Sequence, residues 1–270
     1  MYKLAVFDLD GTLLDEKHEI SRENKDSILK LEELGCKIVI ATGRSDLLVK
    51  EYVKKLGVKT PVISCNGAMI RNPMTKEVWR KRIMSSEKVR DILSICNEEQ
   101  FTYMAYSDEY IFTIPSKRLE YFQTRNKKLE EDCKVPFRVN ESIDCILKEE
   151  IYKILIIEED SNRFELLRDK FVGIEGLEIC QSSKGLMDFM VEGTSKRGAI
   201  EWLAGEYSID RSDILAFGDN YNDIEMLKFA GCAVTTENAV EEVKEIADYV
   251  SIHHDDNGVS WAIENYVLKK

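Results

Sequence analysis

The sequence predicts an α/β fold, a Rossmann-like parallel-sheet core into which an α+β cap domain is inserted. Three observations lead there. Short apolar runs without polar alternation, such as Leu4 to Phe7 (LAVF), alternate with amphipathic segments in the first part of the chain. Strands of that kind suit a parallel sheet covered by helices on both faces. The same alternation resumes near the C-terminus, after a long middle stretch with a different pattern. The boundaries that follow are 1–83 and 191–270 for the core and 84–190 for the inserted cap.

In order, the strand LAVF leads to the helix SRENKDSILKLEELG, with Ser21 as its N-cap, apolar residues at 28, 31 and 34, and Gly35 as its stop. The strand CKIVIATGR, the helix SDLLVKEYVKKLG and the strand PVISCNGAMI complete a βαβαβ unit, which predicts parallel pairing with right-handed crossovers. NPMTKEVWRKR reads as a short hairpin turning near Asn72 and Pro73. The middle stretch holds the helix SSEKVRDILSICNEEQ, the aromatic run FTYMAYSDEYIFTIP, a charged helix, the strand YKILIIEED, a helix around NRFELLRDKF, and the strands LEICQSS and GLMDFMV. The core pattern then returns: helix SKRGAIEWLAGEY, strand DILAFGD, helix NDIEMLKFA, strand CAVTT, helix NAVEEVKEIA and a final YVSI.

With 270 residues, 44% hydrophobic and 33% charged, the chain can bury a sizeable core. A formal net charge of −12 argues against a broad nucleic-acid surface, though not against a small phosphorylated ligand. The start MYKLAVF shows no basic region followed by a long apolar stretch, and no run approaches the ~18 apolar residues of a membrane span. A soluble, cytoplasmic protein is expected, with no membrane, nucleic-acid or obligate protein partner evident. Seven cysteines without a C-x-x-C pair read as small buried hydrophobes in a reducing compartment.

The chemistry concentrates at strand ends, where open α/β sheets bind ligands. LAVF runs into FDLDGT, so Asp8 and Asp10 stand one residue apart and point the same way or nearly so. KIVIA ends in Thr42, Gly43 and Arg44; a hydroxyl and backbone N–H groups at a helix start suit an anion. DILAF ends in GDNYND, which places Asp219, Asn222 and Asp223 at a strand-to-helix junction, and GTSKRGAI puts Lys196 in a first helical turn, against the helix dipole. Each piece alone is more often a helix cap or a turn former than a functional residue. Together, four carboxylates at adjacent strand ends require a cation, and a hard ion with oxygen ligands, Mg²⁺ first, resolves them.

DLDGTLL, TGR, the lysine of SKRGAI and GDNYND match, in order and context, the four motifs of the haloacid dehalogenase-like superfamily. NGA at 66–68 and the large insertion between TGR and the lysine resemble its Cof-type sugar-phosphatase branch, whose α/β cap is inserted there. The resemblance implies a Mg²⁺-dependent phosphatase for a small phosphorylated metabolite. Asp8 would be the nucleophile and become an aspartyl phosphate; Asp10 would be the general acid and base, with a pKa raised by its neighbours. Mg²⁺ would sit on the Asp8 side chain, the Asp10 backbone carbonyl and Asp219. Thr42, the Gly43 and Leu9 N–H groups, Lys196 and Asn222 would surround the phosphoryl oxygens. Asp223 would orient Lys196, and Arg44 and Asn66 would support the site. One segment departs from the family: where V-A-M-x-N-A is usual after the last motif, this chain has AVTTENA, with Thr235 and Thr236 in place of Ala-Met.

Two further features have simpler readings. His253 and His254 lie in the polar segment SIHHDDNGVS, where adjacent side chains diverge, so a solvated turn is expected over a metal site. Phe101, Tyr103, Tyr106, Tyr110 and Phe112 are expected to pack the cap rather than stack a sugar or base. A phosphomutase and a non-catalytic phosphometabolite-binding protein remain as alternatives. A receiver-like signalling module fits neither the length nor the second aspartate of DxD.

Overall fold

The computed structural model describes residues 1–171 and 174–269. The chain opens with β1 (Leu4–Phe7), α1 (Arg22–Glu33), β2 (Lys37–Ile40), α2 (Lys50–Leu56), β3 (Val62–Ser64), β4 (Met69–Arg71) and β5 (Val78–Lys81). The middle contains α3 (Ser86–Glu99), β6 (Thr102–Tyr106), β7 (Ile111–Thr113), α4 (Lys117–Asn126), β8 (Phe137–Val139), α5 (Ile143–Ile146), β9 (Lys153–Ile157), α6 (Ser161–Phe171), β10 (Leu177–Ser183) and β11 (Leu186–Val191). Then follow α7 (Lys196–Glu206), β12 (Ile214–Phe217), α8 (Ile224–Phe229), β13 (Cys232–Thr236), α9 (Glu241–Ile246), β14 (Tyr249–Ser251) and α10 (Gly258–Ala262). These elements form two compact units, one built from Met1–Trp79 and the chain from Ser195 onward, the other from Arg80–Thr194.

The first unit is organised by a five-stranded sheet in the order β14-β13-β12-β1-β2, parallel throughout. Its strands are unpatterned because both faces are covered. Ala5, Phe7, Ile38, Ile40, Leu215 and Phe217 pack with Ile28 and Leu31 of α1, Tyr52 and Val53 of α2, and Val259 and Ala262 of α10. The alternate residues Leu4, Val6, Val39, Ile214 and Ala216 pack with Ile200 and Leu203 of α7 and Met226 and Leu227 of α8. Central β1 pairs with β12 from Leu4↔Ile214 to Phe7↔Phe217 and with β2 from Leu4↔Lys37 to Phe7↔Ile40. The C-terminal ends of these strands therefore lie side by side.

The structure corrects the expected elements at three places. The helix expected over 45–57 is divided: the Ser45 hydroxyl caps a single turn at Asp46–Leu48, and α2 follows, ending at Gly57 with φ 74°. The strand expected over 61–70 is a hairpin, in which β3 and β4 pair antiparallel from Val62↔Arg71 to Ser64↔Met69. Cys65, Asn66 and Gly67 take φ values of 49°, 55° and 101°, which fold the chain back. Asn-Gly is a residue pair suited to left-handed backbone. β3 consequently meets the main sheet through the Ala41↔Ile63 pair and the Thr42 N–H bonded to Ile63 O. Beyond His253, the segment expected to be a loop contains α10, whose Ser260 hydroxyl lies 2.7 Å from that of Ser27 on α1.

The second unit has a six-stranded sheet in the order β10-β11-β9-β6-β7-β8, antiparallel except for β7 with β8. Phe101, Tyr103 and Phe112 join Ile92, Leu93, Ile154 and Phe189 in its core. Tyr106 is buried outside that cluster, with the Lys153 ammonium 5.6 Å from its ring centroid.

Candidate active site

The site begins where β1 stops. The Asp8 N–H continues the ladder to Phe217 O at 3.0 Å, and the chain then coils so that the N–H groups of Thr12, Leu13 and Leu14 all approach Leu9 O, at 3.4, 3.0 and 2.8 Å. Gly11 makes this turn with φ 80°, and a Cβ there would lie 2.3 Å from Asp219 Oδ2. The glycine of DGT is thus required both by its conformation and by the carboxylate against it. Thr12 Oγ1 donates to Asp219 Oδ1 at 2.8 Å, which ties the first motif to the last.

Lys196 enters from α7, whose N-cap hydroxyl, Ser195 Oγ, accepts from the Gly198 N–H at 3.1 Å. Its ammonium donates to Asp8 Oδ1 and to Asp223 Oδ1, each at 2.6 Å. The other oxygen of Asp223 accepts from the N–H groups of Asp219 and Asn220, both at 3.1 Å. Asp223 is therefore occupied by the lysine on one side and by its own loop on the other. Carboxylate oxygens of Asp8, Asp219 and Asp223 lie within 4.8 Å of one another, and all three residues are buried.

Burial pushes the Asp8 carboxyl well above the usual range; Lys196 opposes this, while Asp223, Asp219 and Asp10 add to it. Burial, then Asp223, push Asp219 up to about 7, against the Thr12 hydrogen bond. For Lys196, burial works against the charge, yet Asp223 and Asp8 outweigh it and hold the ammonium above its ordinary range. One buried ammonium faces three carboxylates, and the balance is short of positive charge. The donors are hard oxygens, and the Asp223 pair is already engaged. The set fits a small divalent cation such as Mg²⁺ held chiefly by Asp8 and Asp219.

Asp10 does not join that group of three carboxylates. Arg44 grips it in a fork, with Nε 2.7 Å from Oδ2 and Nη2 2.5 Å from Oδ1. His18 Nδ1 stands 3.6 Å from Asp10 Oδ1, and the Tyr52 hydroxyl accepts from Arg44 Nη1 at 3.2 Å while donating to His18 O at 3.3 Å. Burial works upward on the Asp10 carboxyl, but His18 and Arg44 outweigh it and hold it well below the usual carboxylate range. The expectation of a pKa raised by neighbours is reversed: Arg44 and His18 lower it.

The remaining residues come from β2 and the β3–β4 turn. Thr42 is buried and its Oγ1 accepts from the Arg44 N–H at 3.1 Å. The Asn66 N–H donates to Thr42 O at 3.0 Å, and Asn66 Oδ1 accepts from Asn222 Nδ2 at 3.0 Å. A Cβ on Gly43 would come within 3.1 Å of that same Asn66 Oδ1. Leu9 is buried in the loop between the two aspartates. The structure thus brings Asp8, Thr42, Gly43, Asn66, Lys196, Asp219, Asn222 and Asp223 to one sheet edge, with Asp10 and Arg44 paired beside them.

Sequence reasoning missed Thr12, His18, Tyr52 and Asn238, the last of which donates from Nδ2 to Gly11 O at 2.7 Å. Thr12 lies inside DGT and Asn238 is the asparagine of the AVTTENA segment, so both were legible there; His18 and Tyr52 have no local signal. The pair His253 and His254 also differs from expectation. Their rings lie 4.6 Å apart instead of diverging. His254 Nδ1 stands 2.7 Å from Leu14 O, and Asp255 Oδ1 accepts from the Glu16 N–H at 2.8 Å. The turn is tied to the loop that carries Asp10 instead of being simply solvated.

A family model described as haloacid dehalogenase-like hydrolase matches residues 5–263. The phosphatase YwpJ of Bacillus subtilis (strain 168) is 30% identical, covering 96% of this chain and 97% of its own. From the same organism, the 5-amino-6-(5-phospho-D-ribitylamino)uracil phosphatase YwtE is 27% identical, with 97% of each chain covered. A solved haloacid dehalogenase-like hydrolase from Bacteroides thetaiotaomicron superposes with a TM-score of 0.86 at 28% identity, covering 98% of this chain and 99% of that one. A match of this extent, over strand ends that carry a lysine-bridged aspartate cluster, shows that the chain belongs to the haloacid dehalogenase-like hydrolases, as a phosphomonoesterase.

Proposed function

We propose that the protein hydrolyses a small phosphorylated metabolite, a sugar phosphate or similar monoester, through an aspartyl phosphate on Asp8, in a Mg²⁺-dependent reaction. The observation that carries this reading is the Lys196 ammonium held at 2.6 Å from both Asp8 and Asp223 inside a buried cluster of carboxylates. Asp8 Oδ attacks phosphorus while the ester oxygen leaves; water then attacks the phosphoenzyme and returns the Asp8 carboxylate. Lys196 opposes the charge that Asp8 and the phosphoryl oxygens share, and Thr42, Gly43, Leu9 and Asn222 supply the surrounding donors. Mg²⁺, which Asp8, Asp219 and the Asp10 carbonyl would hold, supplies further neutralisation of charge on the phosphoryl group.

In this reading Asp10 moves the protons. Held by Arg44 and His18 it is ionised, the form that accepts a proton from attacking water. To donate to a leaving oxygen it must first take up a proton, which loosening of the Arg44 fork would favour. The inserted unit, expected as a cap over 84–190, is proposed to select the leaving group, and the polyol phosphate named for the YwtE relative supports the metabolite class. A cytoplasmic setting is part of the reading, supported by the burial of Cys36, Cys65, Cys96, Cys133 and Cys232. Among the described residues, no helix is long and apolar enough to cross a membrane.

The test is phosphate release from sugar phosphates, nucleotides, pyridoxal phosphate and an aryl phosphate, with Mg²⁺ or EDTA. Release should require Mg²⁺ and vanish in Asp8→Asn. Folded protein that binds Mg²⁺ and releases phosphate from none of them would turn the reading towards a mutase or a binding role.

A further inference from the structure

Thr235 and Thr236 stand on β13 where the family resemblance leads to an Ala-Met pair, and nothing above gives them a role. Adjacent on a strand, their side chains leave on opposite faces, and both residues are buried. Thr235 Oγ1 donates to Gly218 O at 2.7 Å. Thr236 Oγ1 donates to Gly11 O at 3.3 Å, the same carbonyl that accepts from Asn238 Nδ2 at 2.7 Å. Gly218 is the residue before Asp219, and Gly11 the residue after Asp10.

Gly11 is a point of close approach between the two acid-bearing loops, and Gly218 is one within the Asp219 loop itself. A Cβ on Gly11 would lie 2.3 Å from Asp219 Oδ2, and one on Gly218 would lie 2.6 Å from Asp223 Cβ. The carbonyls that the threonines hold therefore belong to the backbone that sets where the two loops stand, Gly11 where they meet and Gly218 where the Asp219 loop folds on itself. An Ala-Met pair would fill the space but offer neither carbonyl a donor. We propose that Thr235 and Thr236 are positioning residues for phosphoryl transfer, which hold the nucleophile loop and the Asp219 loop at their working separation. The inference rests on the phosphatase reading above.

Valine keeps the branched shape and removes only the hydroxyl; serine keeps the hydroxyl. Thr235→Val, Thr236→Val and Thr235→Ser would be compared with the native protein for kcat and KM on an aryl phosphate, for Mg²⁺ binding by titration calorimetry, and for thermal midpoint. Displacement of a reacting group by a fraction of an ångström is expected to lower kcat about tenfold in Thr235→Val, with KM within about twofold of native. Mg²⁺ binding should weaken in parallel. Thr236→Val should lose less, because Asn238 still holds Gly11 O, and Thr235→Ser should recover most of the loss. The proposal is overturned if the valine variants lower only the thermal midpoint and leave kcat and Mg²⁺ binding at native values. Should Thr235→Val not fold, a tenfold loss of kcat in Thr235→Ser, which retains the donor, would equally contradict it. If native protein binds Mg²⁺ but turns over no phosphate ester, the phosphatase reading fails, and the calorimetric comparison alone decides the role of the threonines.

Discussion

At the scale of single residues, the site is held by charges that are costly unless each keeps its partner. Lys196 serves two carboxylates at once, so its removal leaves Asp8 and Asp223 buried without their common cation. Lys196→Ala is expected to lose about 2–4 kcal/mol of transition-state stabilisation, read from kcat/KM, and to lower the thermal midpoint as well. Arg44 acts on Asp10 in the opposite sense. Because Arg44 and His18 hold the Asp10 carboxyl low, this proposed base stays ionised well into acid. Arg44→Gln should raise that pKa and move the acid limb of the pH–rate profile to higher pH; an unmoved limb would show that Asp10 is not the titrating base. FDLDGT, TGR and GDNYND made most of these residues legible, since their chemistry is written in consecutive positions. His18 and Tyr52 were not legible, because they matter only through a fork that closes between residues 34 apart in the chain.

At the scale of elements, the strand ends decide where the chemistry sits. Unbroken apolar runs made β1, β2, β12 and β13 readable, because burial on both faces removes any need for polar alternation. The β3–β4 hairpin was misread as one strand, although Asn66-Gly67 held the turn signal; apolar residues on both sides concealed it. Helix α10 is only five residues long and carries too little periodicity to be seen, yet it completes one face of the sheet. The loop after β1 has the least tolerance. Gly11→Ala would place a methyl group 2.3 Å from Asp219 Oδ2 in a backbone with φ 80°. Loss of Mg²⁺ binding and of turnover is expected, with far-UV circular dichroism close to native; full activity would mean that the loop separation is not critical.

At the scale of the whole molecule, the buried carboxylates couple stability to pH and to any cation they hold. The Asp219 carboxyl lies near 7 in the folded protein and near 3.9 in an unfolded chain. The folded state therefore binds the extra proton between those values, so the contribution of this group is fully present at low pH and is lost as pH rises through about 4 to 7. A divalent cation held there would favour the ionised form and oppose that loss. Thermal midpoints measured without and with Mg²⁺ should separate more at pH 8 than at pH 5; a shift independent of pH would place the cation elsewhere. Phosphorylation of Asp8 during turnover is read by borohydride reduction of the protein while it turns over an aryl phosphate with Mg²⁺, followed by mass spectrometry. Reduction is expected at residue 8 and should disappear in Asp8→Asn. Steady phosphate release with residue 8 untouched, or with another carboxylate reduced instead, would contradict it.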